Sequence, residues 1–165
     1  MSGDYVYFTS SYTGQVIVCD RDLDACTVLL TSTLLSPLNG NSGANGIVVI
    51  DDFLIVGNFA TGNLIKVPVK DGATNGSESL VAITDTLNLI DDVDGLVEVN
   101  DRVIIAITSA NAILLESSDK WVSAEIKKTV SLASIDPTGA STAGIKSDDE
   151  EEIEIYVTFP SWASL

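Results

Sequence analysis

The strongest constraint in this sequence is that it repeats itself. Asn45-Gly46-Ile47 followed by Val48-Val49-Ile50 recurs forty-nine residues on as Asp94-Gly95-Leu96 followed by Val97-Glu98-Val99, and a weaker copy, Ala143-Gly144-Ile145, stands a further forty-nine along. Each copy runs as a short apolar strand, a tight polar turn (Asp51-Asp52, Asn100-Asp101, Asp148 to Glu152) and a second apolar strand, and the first two copies go on to a third and fourth. Ahead of them, Val6 to Cys19 with Thr13-Gly14 matches Phe53 to Val67 with Thr61-Gly62 at an offset of 48, so the leading unit reads as lacking its opening strand. A unit that cannot bury both of its faces must stack on copies of itself.

Within the units the period is that of strands. Val/Ile/Leu-rich runs such as Val6 to Thr9, Phe53 to Gly57, Leu64 to Val69 and Val103 to Ile107 are bounded by Gly, Asn, Asp and Ser. Val122 to Val130 contains good helix formers, but Val122, Ala124 and Ile126 alternate like a half-buried strand, and it is read as one. Units of about fifty residues with four antiparallel strands are those of a β-propeller, whose blades pack face to face around a channel. The expected fold is therefore all-β, a partial β-propeller of about 13 strands. Its blades span residues 4–44, 45–93, 94–142 and, in part, 143–165. The 165 residues hold about 3.4 units. Such an arc leaves apolar faces and strand edges for a second copy or another chain to cover. A two-sheet β-sandwich is the alternative.

Composition narrows the function. Eight basic against twenty-four acidic residues give a net charge of −16, which repels phosphate backbones and argues against nucleic-acid binding. The chain has no histidine, which removes histidine-based triads, zinc helices and acid–base catalysis. No apolar run is long enough to span a bilayer, and Met1 to Tyr5 does not open like a signal peptide, so a soluble, cytoplasmic protein is expected. Cys19 and Cys26 have no metal-ligand spacing and are read as free thiols, with a hairpin bridge as the alternative. Asn75-Gly76-Ser77 fits a glycosylation pattern, the acidic run Asp148 to Glu152 reads as a solvated turn, and Trp121 and Trp162 read as packing residues or, for Trp162, a partner anchor.

In a propeller the turns entering the inner strands meet at one mouth of the channel, so Asn45, Asp94 and Ala143 should converge there, with Asp91 and Asp92 adding negative potential suited to calcium. Asn-Gly and Asp-Gly are equally the preferred dipeptides of tight turns. Gly43-Ala44-Asn45-Gly46-Ile47, Phe53 to Asn58, Thr61-Gly62-Asn63-Leu64 and Asp94-Gly95-Leu96 resemble the blades of the senescence marker protein and gluconolactonase family of six-bladed propellers. The resemblance implies a divalent cation held by Asn45 and Asp94. It also implies Asp94 as general base for water attacking a lactone or ester, with Asn58 as a substrate contact. The family's remaining ligands belong to blades that have no counterpart here. Two readings follow: a metal-assisted hydrolase completed by further blades, and a non-catalytic accessory subunit that docks in a larger assembly.

Overall fold

The computed structural model describes residues 4–84, 90–132, 135 and 156–158. Three antiparallel sheets follow one another along the chain. The first is β1 (Tyr5–Ser10), β2 (Gln15–Asp20) and β3 (Cys26–Thr31), in that spatial order. A 3-10 turn, Thr33–Leu35, leads to the second sheet: β4 (Ala44–Ile50), β5 (Phe53–Asn58) and β6 (Leu64–Lys70), with β7 (Ala73–Thr74) and β8 (Ser79–Leu80) both pairing with β6. A two-residue strand, β9 (Ala82–Ile83), then precedes β10 (Gly95–Asn100), β11 (Val103–Ile107), β12 (Asn111–Glu116) and β13 (Ser123–Ser131). The last four form the third sheet in chain order, and β9 adds to its edge in parallel with β13.

The sheets stack face to face, and strand alternation decides which side chain goes to which junction. All six residues of β5 are buried. Leu54 and Val56 enter the cluster shared with the first sheet, where Val16, Leu35, Ile65 and Val67 also lie. Phe53 and Ile55 enter the cluster shared with the third sheet, with Leu64, Ile104, Leu115 and Trp121. A strand buried on both faces reads as a continuous apolar run, which is why Phe53-Leu54-Ile55-Val56 shows no alternation. Each of these large side chains contributes about 1.5–3 kcal/mol by leaving water. A third cluster, Ile107 and Leu132 with Ile105, Ala112 and Val157, lies on the far side of the third sheet.

The leading strands of successive sheets lie side by side, β1 next to β4 and β4 next to β10, as inner strands of neighbouring blades do. The fold is thus all-β and an arc of a β-propeller. A middle sheet covered on both faces excludes the two-sheet sandwich. β1, which matches β5 in sequence, takes the place beside β4. Ser123–Ser131 is strand, so the stretch read from its alternation as a strand is one from Ser123 onward. Ala143-Gly144-Ile145, the acidic run Asp148 to Glu152, Trp162 and most of the expected partial blade 143–165 lie outside the described residues.

One expectation is corrected here. Cys19 and Cys26 are not free thiols: they form a disulfide between directly paired residues of β2 and β3, seven residues apart in sequence. The β2–β3 register brings the two Cβ atoms together, and spacing alone does not reveal register.

Candidate functional site

The two dipeptides that mark the repeat meet in space. Asn45 and Gly46 sit in a bulge where β4 slips its register against β5, between Ala44 and Ile47. A bulge of this kind re-aims a side chain out of the ladder. Asn45 Nδ2 donates to Asp94 Oδ1 at 2.8 Å, across the junction between the second and third sheets. Gly46 packs so tightly on the next blade that a Cβ there would lie 2.7 Å from the carbonyl carbon of Gly95. Gly46, the glycine of the first dipeptide, therefore allows its strand to approach the next inner strand backbone to backbone. On the other side, Thr9 Oγ1 donates to the Asn45 carbonyl at 2.6 Å and links β1 to the same point.

Around this pair lie Asp91, which is exposed, and Asp92, which is half-buried and accepts a 3.3 Å bond from Ser109 Oγ. Asn58 plays a different part. It is 1% exposed; its Nδ2 donates to the carbonyls of Leu34 and Ser36, and its Oδ1 accepts from the Thr61 amide. That residue clamps the 3-10 turn onto the end of β5 and presents no surface to a substrate.

The structure brings Asn45 and Asp94 together as the repeat predicts, but as a hydrogen-bonded tether between blades. For a divalent cation the residues do not fit. Calcium takes six to eight oxygens. Here two side chains, joined through the Asn45 amide nitrogen and one Asp94 oxygen, supply too few oxygens by themselves, and among the described residues no group of three or more Cys, Asp or Glu is arranged to hold a metal. No catalytic step is derived through one.

A second polar site lies at the opposite end of the strands and was not anticipated from the sequence. A cleft of about 220 Å³ on the third sheet is lined by Arg102, Glu116, Ser118, Ser123, Glu125 and Lys127. Glu116 pairs with Arg102 at 3.3 Å and with Lys127 at 3.5 Å, and Lys127 also meets Glu125 at 2.8 Å. The hydrogen bond and charge of Glu125, then the charge of Glu116, hold the Lys127 ammonium above its usual range. Next to it, a smaller cleft of about 140 Å³ between the Asp51 and Asp101 turns shares Arg102 and Ser118 and adds Lys120. Lys66 bonds the Lys120 carbonyl and lies 4.2 Å from the centre of the Phe53 ring. The cations of the first cleft are matched by carboxylates, so it carries no net charge to select a ligand. Its sequence signal was faint: a lone Arg after an Asn-Asp turn, and charges alternating on one strand.

No protein-family model matches the chain, and no curated protein matches it in sequence. Among solved structures it is similar to the major allergen Mala s 1 of Malassezia sympodialis, with a TM-score of 0.72 at 17% identity, over 94% of this chain and 46% of that one. The N-terminal domain of Nup159 aligns with a TM-score of 0.46 at 10% identity, over 95% of this chain and 41% of that one. The chain spans about half the length of these structures. The resemblance to the senescence marker protein and gluconolactonase family is thereby overturned: no family model matches, and the solved structure that superposes well on this chain is a different β-propeller-like protein. What the first likeness establishes is the fold. Among the described residues no helix is long and apolar enough to cross a membrane.

Proposed function

We propose that this chain is a non-catalytic interaction module, an arc of propeller that works by docking an uncovered blade face against another protein surface. One observation carries the reading. Among the described residues, the face of the first sheet turned away from the second sheet bears Val6, Phe8, Ile17 and Val28 in cross-strand register. Phe8 is 43% and Val28 53% exposed, whereas β5, at the centre of the arc, is buried throughout. A contiguous apolar sheet face rimmed by polar turns is an interaction surface in a soluble protein. The hydrolase expectation rested on a family resemblance that no longer stands, and the Asn45–Asp94 hydrogen bond across the blade junction supports a structural part for the pair.

The test is a double substitution, Phe8→Asp with Val28→Asp, compared with the unaltered chain by circular dichroism, light scattering and binding of a hydrophobic dye. The expected result is an unchanged circular dichroism spectrum with a change in either mass or dye binding. If the folded variant matches the parent in both, the face is inert and the reading is wrong. Titration with calcium is expected to leave the melting temperature unmoved; a rise would return a cation to the Asn45–Asp94 site.

A further inference from the structure

Of the chain's asparagines, Asn75 alone is followed two residues on by serine or threonine, the pattern that an N-linked oligosaccharide requires. The structure puts it where such a group can stand. Asn75, Gly76 and Ser77 are exposed and lie between β7 and β8, the short strands on the outer margin of the second sheet. The Asn75 backbone N–H donates to the Pro68 carbonyl at 2.9 Å, which ties the loop back to β6. Its side chain bonds to nothing among the described residues. Asn45 and Asn58 differ, since their side-chain amides donate to Asp94 and to two carbonyls. Gly76 takes a φ of 137°, and a Cβ there would meet only side-chain carbons of Pro68, at 3.5 and 3.6 Å. The loop is thus open on its outer side.

The disulfide is an independent observation with the same implication. It joins buried Cys19 to Cys26, which is exposed on β3 at the edge of the first sheet. A bridge open to solvent persists in secretory and extracellular compartments, whereas the cytosol keeps thiols reduced. Oligosaccharide transfer to an Asn-X-Ser pattern belongs to the same secretory route. We infer that Asn75 is the acceptor of an N-linked oligosaccharide, added as the chain passes through an oxidising lumen. The donor is a lipid-pyrophosphate-linked oligosaccharide. The Asn75 Nδ2 bonds to the anomeric carbon of the sugar as the anomeric C–O bond breaks; the amide gives up one proton, and the lipid pyrophosphate leaves with the electron pair. The glycan projects from the outer margin of the middle sheet, whose two faces are filled by the first and third sheets, so neither junction is disturbed. It also shields β7 and β8 from pairing with the strands of another chain.

The experiment is peptide mass spectrometry of the protein isolated from its natural source, alkylated without a reducing agent and treated with a peptide-N-glycosidase in heavy-oxygen water. Release of a glycan by that enzyme converts the asparagine to an aspartate carrying one heavy oxygen. The expected result is this label at Asn75, lost when the enzyme is omitted, with no alkylation of Cys19 or Cys26. Expressed in the same source, Ser77→Ala should lose the label although Asn75 is still present, and Ser77→Thr should keep it. Both substitutions are at an exposed position, and circular dichroism of each purified variant checks that it folds as the parent does. An Asn75 peptide that is wholly unmodified in the natural protein overturns the proposal, whatever the state of the cysteines. So does a label that survives Ser77→Ala, which would mark deamidation in place of a glycan. Alkylation of both cysteines without reduction overturns the oxidising route and, with it, the acceptor role of Asn75.

Discussion

Asp119 shows how much a single carboxylate organises here. It accepts from the amides of Val122 and Ser123, from Ser123 Oγ and from Ser117 Oγ. It thereby fixes a turn in which Lys120 and Trp121 both adopt left-handed φ, 57° and 63°. That turn delivers Trp121, which is fully buried and donates Nε1 to the Asp101 carbonyl. The bonds from Ser123, first its amide and then its hydroxyl, lower the Asp119 carboxyl to about 2. A depressed carboxylate stabilises the fold above its unfolded value and loses that contribution as pH falls through the folded one. Asp119→Asn should therefore lower the melting temperature by roughly a few degrees near neutrality, and the gap between variant and parent should close as pH drops from about 4 toward 2. Asn45→Asp is the converse case. It would set two carboxylates at the 2.8 Å contact that now joins an amide to Asp94. Melting at pH 7 should fall, and acid below about pH 5 should restore it as the pair takes up a proton.

At the level of elements, the Cys19–Cys26 link braces a hairpin at the end of the arc. For so short a loop, replacing both cysteines with serine should cost about 2–3 kcal/mol, read as a lower midpoint in denaturant, and a loss confined to reducing-agent-free buffer would identify the bridge as its source. The strand pattern was legible in the sequence because β5, β6 and β11 are continuous or alternating apolar runs bounded by turn residues. The disulfide was not, because pairing Cys19 with Cys26 depends on a β2–β3 register that slips between Val16 and Ile17. β9 was equally hidden: two residues have no period, and their parallel pairing with Ser123 and Ala124 is a tertiary fact. The candidate site was legible in place but not in purpose. An echo at an offset of forty-nine correctly located Asn45 beside Asp94, yet nothing in either dipeptide distinguishes a ligand set from a tether that lets Gly46 pass close to Gly95. The capping role of Asn58 was not legible because a polar residue before a turn looks the same whether it faces solvent or caps buried carbonyls.

For the whole molecule, a net charge of −16 sets the terms on which it can meet another surface. Like charges oppose association, and added salt screens them over about a Debye length, so docking through the apolar face of the first sheet should strengthen as ionic strength rises. A partner held by ion pairs would dissociate instead, and sedimentation across a salt series separates the two. The short strand β9 bears on how the arc comes apart. Chain that has just left the second sheet reaches over to add a parallel edge to β13, with the Ala82 and Thr84 amides bonded to the carbonyls of Val122 and Ala124. To detach the third sheet, that clasp must be undone first. The first sheet is joined to the second chiefly by apolar contact and by bonds such as Ser32 Oγ to Glu78. Opening should then begin at the amino-terminal sheet, giving the chain a loose end and a fastened end, with amide exchange fastest in β1 to β3 and slowest in β5 and β11.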